Sequence, residues 1–458
     1  MGSIIPLKIN FIMMKMRAMY LAVVTVIFLA GTGTSRAQKV WTLEECIQYA
    51  LDHNITIKRQ ELAADVSSNN AFQAKMNLLP GIGAGFNHSF NFGRTVDPTT
   101  YDFVEQKYQS QSMGVGGNMT LFHGLQNINN MKRQQFNLMA KLAQVEKAKN
   151  DVTLNIATAY LQILFSQEIL EVAKAQLEVT RLQVEKMRKL VEVGNKAMGD
   201  LLQIQAQEAS DRLEVINASN NLKIAYLTLT QLLDLDSAEG FEIAKPVTAQ
   251  IDEALVAPEV EEIYTVAEKE MPQIRMAEYM VKAAQKDLAI ARGARFPDVT
   301  LQSQVYTYYS ELQTQYYSYE QQLRNNMSKT IQFGINIPLF SRYATQRDIS
   351  NAKIARNDAE LQLREARLDL YKTIQQAHAD AVAALEKYRS AAEAVKANEE
   401  AFKYTEQKFG VGLVSAVEYN EGKKNLTKAR ADLLQAKYEF IFKTKILAFY
   451  MGNKIELK

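Results

Sequence analysis

The chain has 458 residues, with 53 Lys and Arg set against 51 Asp and Glu, one cysteine, 20 glycines and 8 prolines. The near-balance of charge gives no electrostatic ground for a nucleic-acid partner. A lone Cys46 excludes an intrachain disulfide and any multi-cysteine metal site. Sparse Gly and Pro leave long stretches unpunctuated, which favours long helices.

At the N-terminus Lys15 and Arg17 precede an apolar run from Ala18 to Ala30, and Ser35-Arg36-Ala37 places small residues at a cleavage site. This predicts a signal peptide over residues 1–37. The apolar core is shorter than the ~20 residues that span a bilayer. Thr32 stands where a lipoprotein would carry its lipid-bearing cysteine, and initiation at Met14 or Met16 fits the leader equally. No later segment is apolar enough for a transmembrane helix, so membrane entry would have to use strands.

The rest of the chain is a duplication. Asn118-Met-Thr-Leu-Phe122 recurs as Asn336-Ile-Pro-Leu-Phe340, a separation of 218, and Asp151, Val193 and Gly194 recur as Asp369, Val411 and Gly412. Upstream the separation is 217: Ala50 with Ala267, Glu61 with Glu278, Pro80 with Pro297. The reading is a first repeat over 38–235, a polar linker over 236–258 and a second repeat over 259–458.

Each repeat begins with a single predicted helix, Thr42 to Leu79 and Val260 to Phe296, ended by a proline. Two runs of period-two alternation follow, at about 82–92 and 110–121, then at about 298–309 and 329–339. Their length suits tilted transmembrane strands of ~10 residues. Tyr306, Tyr308, Tyr309, Tyr316, Tyr317 and Tyr319 crowd one loop end, where an interfacial aromatic girdle is expected.

A very long helix comes next in each repeat, Gly124 to Glu192 and Arg342 to Phe409. In the first, Leu138, Leu142, Val145, Val152, Ile156, Ile163 and Leu170 keep coiled-coil-like spacing. At 1.5 Å per residue such rods are about 100 Å long and cannot bury an apolar stripe alone. Gly194 and Gly412 mark their far ends, where the chain reverses into return helices, Asp200 to Leu233 and Val417 to Tyr450.

Catalytic chemistry finds no footing. His53, His88, His123 and His378 lack paired ligand spacing, and no nucleophile elbow, phosphate loop or dinucleotide fingerprint occurs. The methionines between 113 and 139 read as core or lipid-facing filler rather than a copper relay. No enzyme, cofactor or metal is predicted.

The order helix–Pro–strand–strand–long helix–Gly turn–helix, duplicated behind a signal peptide, resembles the TolC family of outer-membrane efflux proteins over essentially the whole mature chain. Asn336-Ile-Pro-Leu-Phe340 and Val411-Gly-Leu-Val-Ser415 are its best local signatures. The resemblance implies a mainly α protein with a β-barrel segment: a homotrimer with a twelve-stranded barrel in outer-membrane lipid and an α-helical barrel across the periplasm. It implies a passive exit duct, an inner-membrane pump and a periplasmic adaptor. The adaptor would contact the tips at Gly194, Val411, Gly412, Leu413 and Ser415, and Glu418, Glu421 and Asp200 would line the periplasmic gate. The gate-closing tyrosine and arginine of the family are replaced here by Phe409 and Val414, so that lock does not carry over. The residues alone require oligomerisation, because four strands do not close a barrel. The alternative reading is a periplasmic coiled-coil adaptor or adhesin stalk without a pore.

Overall fold

A computed structural model describes residues 40–96, 101–105, 107–245 and 258–455. The predicted signal peptide and most of the linker lie outside the described residues.

The chain opens with β1 (Val40–Trp41), followed by two helices, α1 (Leu43–His53) and α2 (Ile55–Met76). This corrects the expectation of one continuous helix. Asn54 interrupts it with extended backbone, and its side-chain oxygen accepts from Thr56 N and Ile57 N to cap α2. Its amide donates to Leu232 O at 2.9 Å, so the break is tied to another helix. The second repeat breaks at the matching position: α5 (Val260–Glu270) stops at Met271 and α6 (Pro272–Gly293) starts on a proline. Proline is at ease in a first helical turn, where no backbone donor is needed.

Strands β2 (Gly81–Asn91), β3 (Arg94–Val96), β4 (Phe103–Glu105) and β5 (Tyr108–His123) follow. In the second repeat come β7 (Asp298–Ser310), the short α7 (Tyr319–Asn325) and β8 (Ser328–Asn336). The four long strands form one antiparallel sheet in the order β2-β5-β7-β8. β8 stops before Ile337, because Pro338 cannot donate to a ladder.

The register sorts the side chains. One face carries the rows Ile82–Gly117–Ser303–Ile331, Ala84–Val115–Val305–Lys329 and Met119–Leu301–Phe333. The other carries Gly83–Gly116–Gln304–Thr330, Gly85–Gly114–Tyr306–Ser328 and Asn118–Gln302–Gln332. One face is therefore predominantly apolar and the other polar or bare, the alternation of a barrel wall. The expected aromatic girdle is only partly formed: Tyr306 and Tyr308 belong to the polar face, while Tyr309 on the apolar face meets Tyr319 at 4.9 Å.

The rods α3 (Gln126–Glu192) and α8 (Ala344–Gly410) have 67 residues each, and the return helices α4 (Met198–Leu232) and α9 (Ala416–Tyr450) have 35 each. Mid-rod, α1 and α2 pack on α3 and α4, and α5 and α6 on α8 and α9. The same positions are buried twice: Ala50, Ile57, Ile156 and Leu229 recur as Ala267, Ile274, Ile374 and Leu447. Part of the expected polar linker joins the first cluster. Glu242–Ile243 forms β6, parallel to β1, and Phe241 and Ile243 are buried. Tyr160 holds this ribbon down, its hydroxyl 2.7 Å from Ala244 O and 3.2 Å from Trp41 O.

Candidate functional site: the sheet and the helical tips

The functional features lie at opposite ends of the rods. At one end stands the sheet, whose free edges are β2 and β8. Strands enter the rods through two consecutive left-handed residues, Gly124 (φ +55°) with Leu125 (φ 60°), and Arg342 (φ 50°) with Tyr343 (φ 68°). Gly124 is obligatory for a second reason. A Cβ there would sit 2.1 Å from Gly293 O, so α6 crosses directly over this junction.

At the other end both hairpins turn by the same device. Leu413 N donates to Lys408 O at 2.9 Å and Gly412 N to Phe409 O at 3.1 Å; Asn195 N and Gly194 N repeat this with Leu190 O and Val191 O. These are Schellman caps, and their left-handed residue is Gly194 (φ +77°) or Gly412 (φ +81°). Ser415 then caps α9 by accepting from Glu418 N at 3.2 Å, whereas its counterpart Ala197 makes no side-chain cap.

The two tips meet within one chain. Lys196 Nζ lies 5.6 Å from the Phe409 ring centroid, and a Cβ on Gly412 would be 3.8 Å from the same ammonium. Phe409 packs on Tyr419 at 4.6 Å, and Phe402 on Tyr419 at 5.2 Å. Burial pushes the Tyr419 hydroxyl up to about 12, and Gln183 Nε2 donates to it. Val411, Leu413 and Val417 are exposed apolar side chains around the turn, joined by Val193 and Met198 of the first tip.

Asp200 lies in the first turn of α4, half-buried. Glu418 and Glu421 are exposed on α9, turned away from its buried residues Ala416, Tyr419, Lys423 and Leu426. Lys423 is the surprise. It sits in the buried stripe of α9, its ammonium 2.8 Å from Thr180 Oγ1 of α3, and Thr180 in turn bonds to Asp211 of α4. The sequence carries a signal for it: Ala416, Tyr419, Lys423 and Leu426 follow core spacing with a lysine in a core position.

Among the described residues no group of His, Cys, Asp and Glu could hold a metal ion, and no helix is long and apolar enough to cross a membrane.

The described residues thus form a mainly helical chain with long paired rods and one four-stranded sheet interleaved between them. Residues 46–234 and 263–453 match the family described as Outer membrane efflux protein. The chain is 21% identical to the outer membrane protein TolC of Escherichia coli K12, over 90% of this chain and 82% of that protein. It is also 21% identical to the outer membrane efflux protein BepC of Brucella suis, over 92% and 87%. In three dimensions it superposes on VceC of Vibrio cholerae with a TM-score of 0.76 at 17% identity, covering 90% and 96% of the chains. On the open-state MtrE channel of Neisseria gonorrhoeae the TM-score is 0.72 at 18% identity, covering 90% and 89%. The chain belongs to the outer membrane efflux protein family. It is an outer-membrane exit channel whose helical part extends into the periplasm, and it is not an enzyme.

Proposed function

We propose that the working unit is a homotrimer that receives substrate from an inner-membrane pump through a periplasmic adaptor. The observation that carries this is a mismatch between equivalent positions of the two repeats. Leu361 of α8 and Val66 of α2 are exposed, at 63% and 60%. Their repeat counterparts, Ala143 (361 − 218) and Ala283 (66 + 217), are buried at 7% and 6%. Within the chain α3 packs against α6, and the equivalent pairing joins α8 to the α2 of a second copy. The free edge of β8 then meets the free edge of β2, as β5 meets β7 inside the chain. Six repeats, three chains, close the ring in the arrangement the family resemblance implies. Lipid lies against the apolar face, and the polar face lines the lumen. The exposed tip side chains Val411 and Leu413, around Gly194, Gly412 and Ser415, form the adaptor surface. Glu418, Glu421 and Asp200 line the periplasmic entrance.

The test uses the internal symmetry. Arg133 Nη1 and Asp287 Oδ1 are 2.7 Å apart within one chain. Their counterparts are Asn351 (133 + 218) and Asn70 (287 − 217), both exposed. Cysteines at 70 and 351, joined by a short bis-maleimide in outer membranes, are expected to give a covalent ladder ending at three chains. Cysteines at 133 and 287 should react within one chain. Reaction of the second pair without the first would reject the ring.

A further inference from the structure

Along part of its length, the seam between the two hairpins is more polar than the packing inside the first. Within the first hairpin, Val184, Met187, Leu201 and Ile204 form an apolar cluster, as do Leu170, Ala173 and Ala218. Between the hairpins, Ile441 and Phe442 of α9 pack on the mid-rod cluster and Phe409 on the cluster near the tips, but between them a run of side-chain hydrogen bonds joins α3 to α9: Glu168 with Tyr438 at 2.6 Å, Gln176 with Thr427 at 3.2 Å, Thr180 with Lys423 at 2.8 Å, and Gln183 with Tyr419. Polar contacts of this kind can be exchanged for water when two elements part, whereas apolar ones cannot without loss.

Lys423 is the charged member, and it is 4% exposed. Its ammonium donates to a neutral hydroxyl, and Asp211 compensates it from the far side of that hydroxyl. Thr180 has one proton to give, for which Asp211 and the backbone Gln176 O at 3.0 Å compete, and it meets Lys423 as an acceptor. Asp211 is itself 7% exposed and accepts from Gln207 Nε2 at 2.7 Å. The other charged groups around the site are Glu214 on α4, Lys424 and Lys428 on α9 itself, and Glu406 on α8. An ammonium compensated in this indirect way costs more to bury than its attraction returns.

We propose that Lys423 is a spring in the seam: a buried charge that works against the closed packing of the second hairpin on the first and favours their parting. Thr180 and Asp211 limit the cost so that the seam still closes. This rests on the reading of the rods as a periplasmic tunnel entered at its tips, but not on which residues form its narrowest ring.

The sign follows from linkage. Desolvation holds Lys423 down at about 8 against an ordinary 10.5, with Asp211 and Glu406 opposing that shift. Parting the seam returns the ammonium to water and restores the ordinary value. Between these two values the closed seam binds fewer protons than the parted one, so rising pH favours closure. Below about 8 the ammonium is charged in both states and the full bias toward parting operates.

The experiment measures the distance between spin labels at Glu178 and Asn425, both exposed, in mixed trimers with one labelled protomer. In the wild type at pH 7 we expect a substantial long-distance population, shrinking as pH rises toward 10. Lys423→Met should hold the short distance at both pH values, shifting the parted-to-closed ratio on the order of 100-fold. Asp211→Asn should move the closing transition to lower pH, because it removes the group that keeps Lys423 charged. Longer distances in Lys423→Met, or a wild-type distribution independent of pH, would overturn the proposal. If Lys423→Met does not assemble, the wild-type and Asp211→Asn pH series decide it. The readout lies within one protomer, so it is independent of whether Glu418 and Glu421 form the gate.

Discussion

Gly410 and Gly412 stand two residues apart, and only one of them is needed for its backbone. Gly412 has φ +81°, whereas Gly410 ends α8 in helical conformation with no atom within 4 Å of an added Cβ. Gly412→Val places a β-branched residue in the left-handed region, a strain of about 1–2 kcal/mol at the tip. The expected result is a trimer that still inserts but loses efflux and adaptor crosslinking. Gly410→Ala should leave both intact and raise thermal stability by up to about 1 kcal/mol. Normal drug tolerance in Gly412→Val would remove the tip from the docking surface. The turn was legible because glycine recurs at 194 and 412. The left-handed pair Arg342–Tyr343 was not, because neither residue type signals such a turn and the strand-to-rod junction alone imposes it.

Among the elements, the strands are best defined by sequence, since period-two alternation survives any tertiary context. Their faces can be tested directly. Phe333, Ile331 and Ile335 share the apolar rows, while Gln332 lies in the polar row beside Gln302. Asn336 is the last residue of β8, near the helical end of the sheet, so Gln332 is the depth-matched control. Phe333→Arg is expected to cost roughly 2–4 kcal/mol and to depress trimer yield in outer membranes, with Gln332→Arg and Asn336→Arg costing much less. Equal losses would reverse the orientation. The break at Met271 is signalled in the sequence by Pro272, but the break at Asn54 is not, for a physical reason. Asn is tolerated inside helices, and only the carbonyl of Leu232 and the cap on α2 show that Asn54 is spent on a turn. The tyrosines divide between the two faces of the sheet, because composition locates a loop end but not a face.

Across the whole molecule, the chain alone is an incomplete object, with uncovered apolar stripes and open strand edges that a ring removes. In the proposed ring, Glu418 and Glu421 of every copy would gather around the entrance. Three residues apart on α9, they can share one face. Concentrated negative charge favours cations and binds divalent ions. Glu418→Gln with Glu421→Gln is therefore expected to lower cation selectivity and relieve divalent block in single-channel recordings of purified trimers. Unchanged selectivity and block would leave the duct in place and remove the carboxylate ring.

The sequence by itself determined the architecture: duplication, strands by their alternation, rods by their length and turns by paired glycines. Each of these is a local or periodic signal, set by backbone sterics and by which side of an element is apolar. The tertiary structure alone decided what depends on contacts between distant segments. It placed Glu242–Ile243 beside Val40–Trp41, brought Gly124 under Gly293, and seated Phe409 on Tyr419. It also turned Lys423 from a surface-type residue into a buried charge. A lysine at a core-spaced position is ambiguous in sequence, because whether its ammonium reaches water depends on which helices close over it. Here α3 and α4 do, through Thr180 and Asp211.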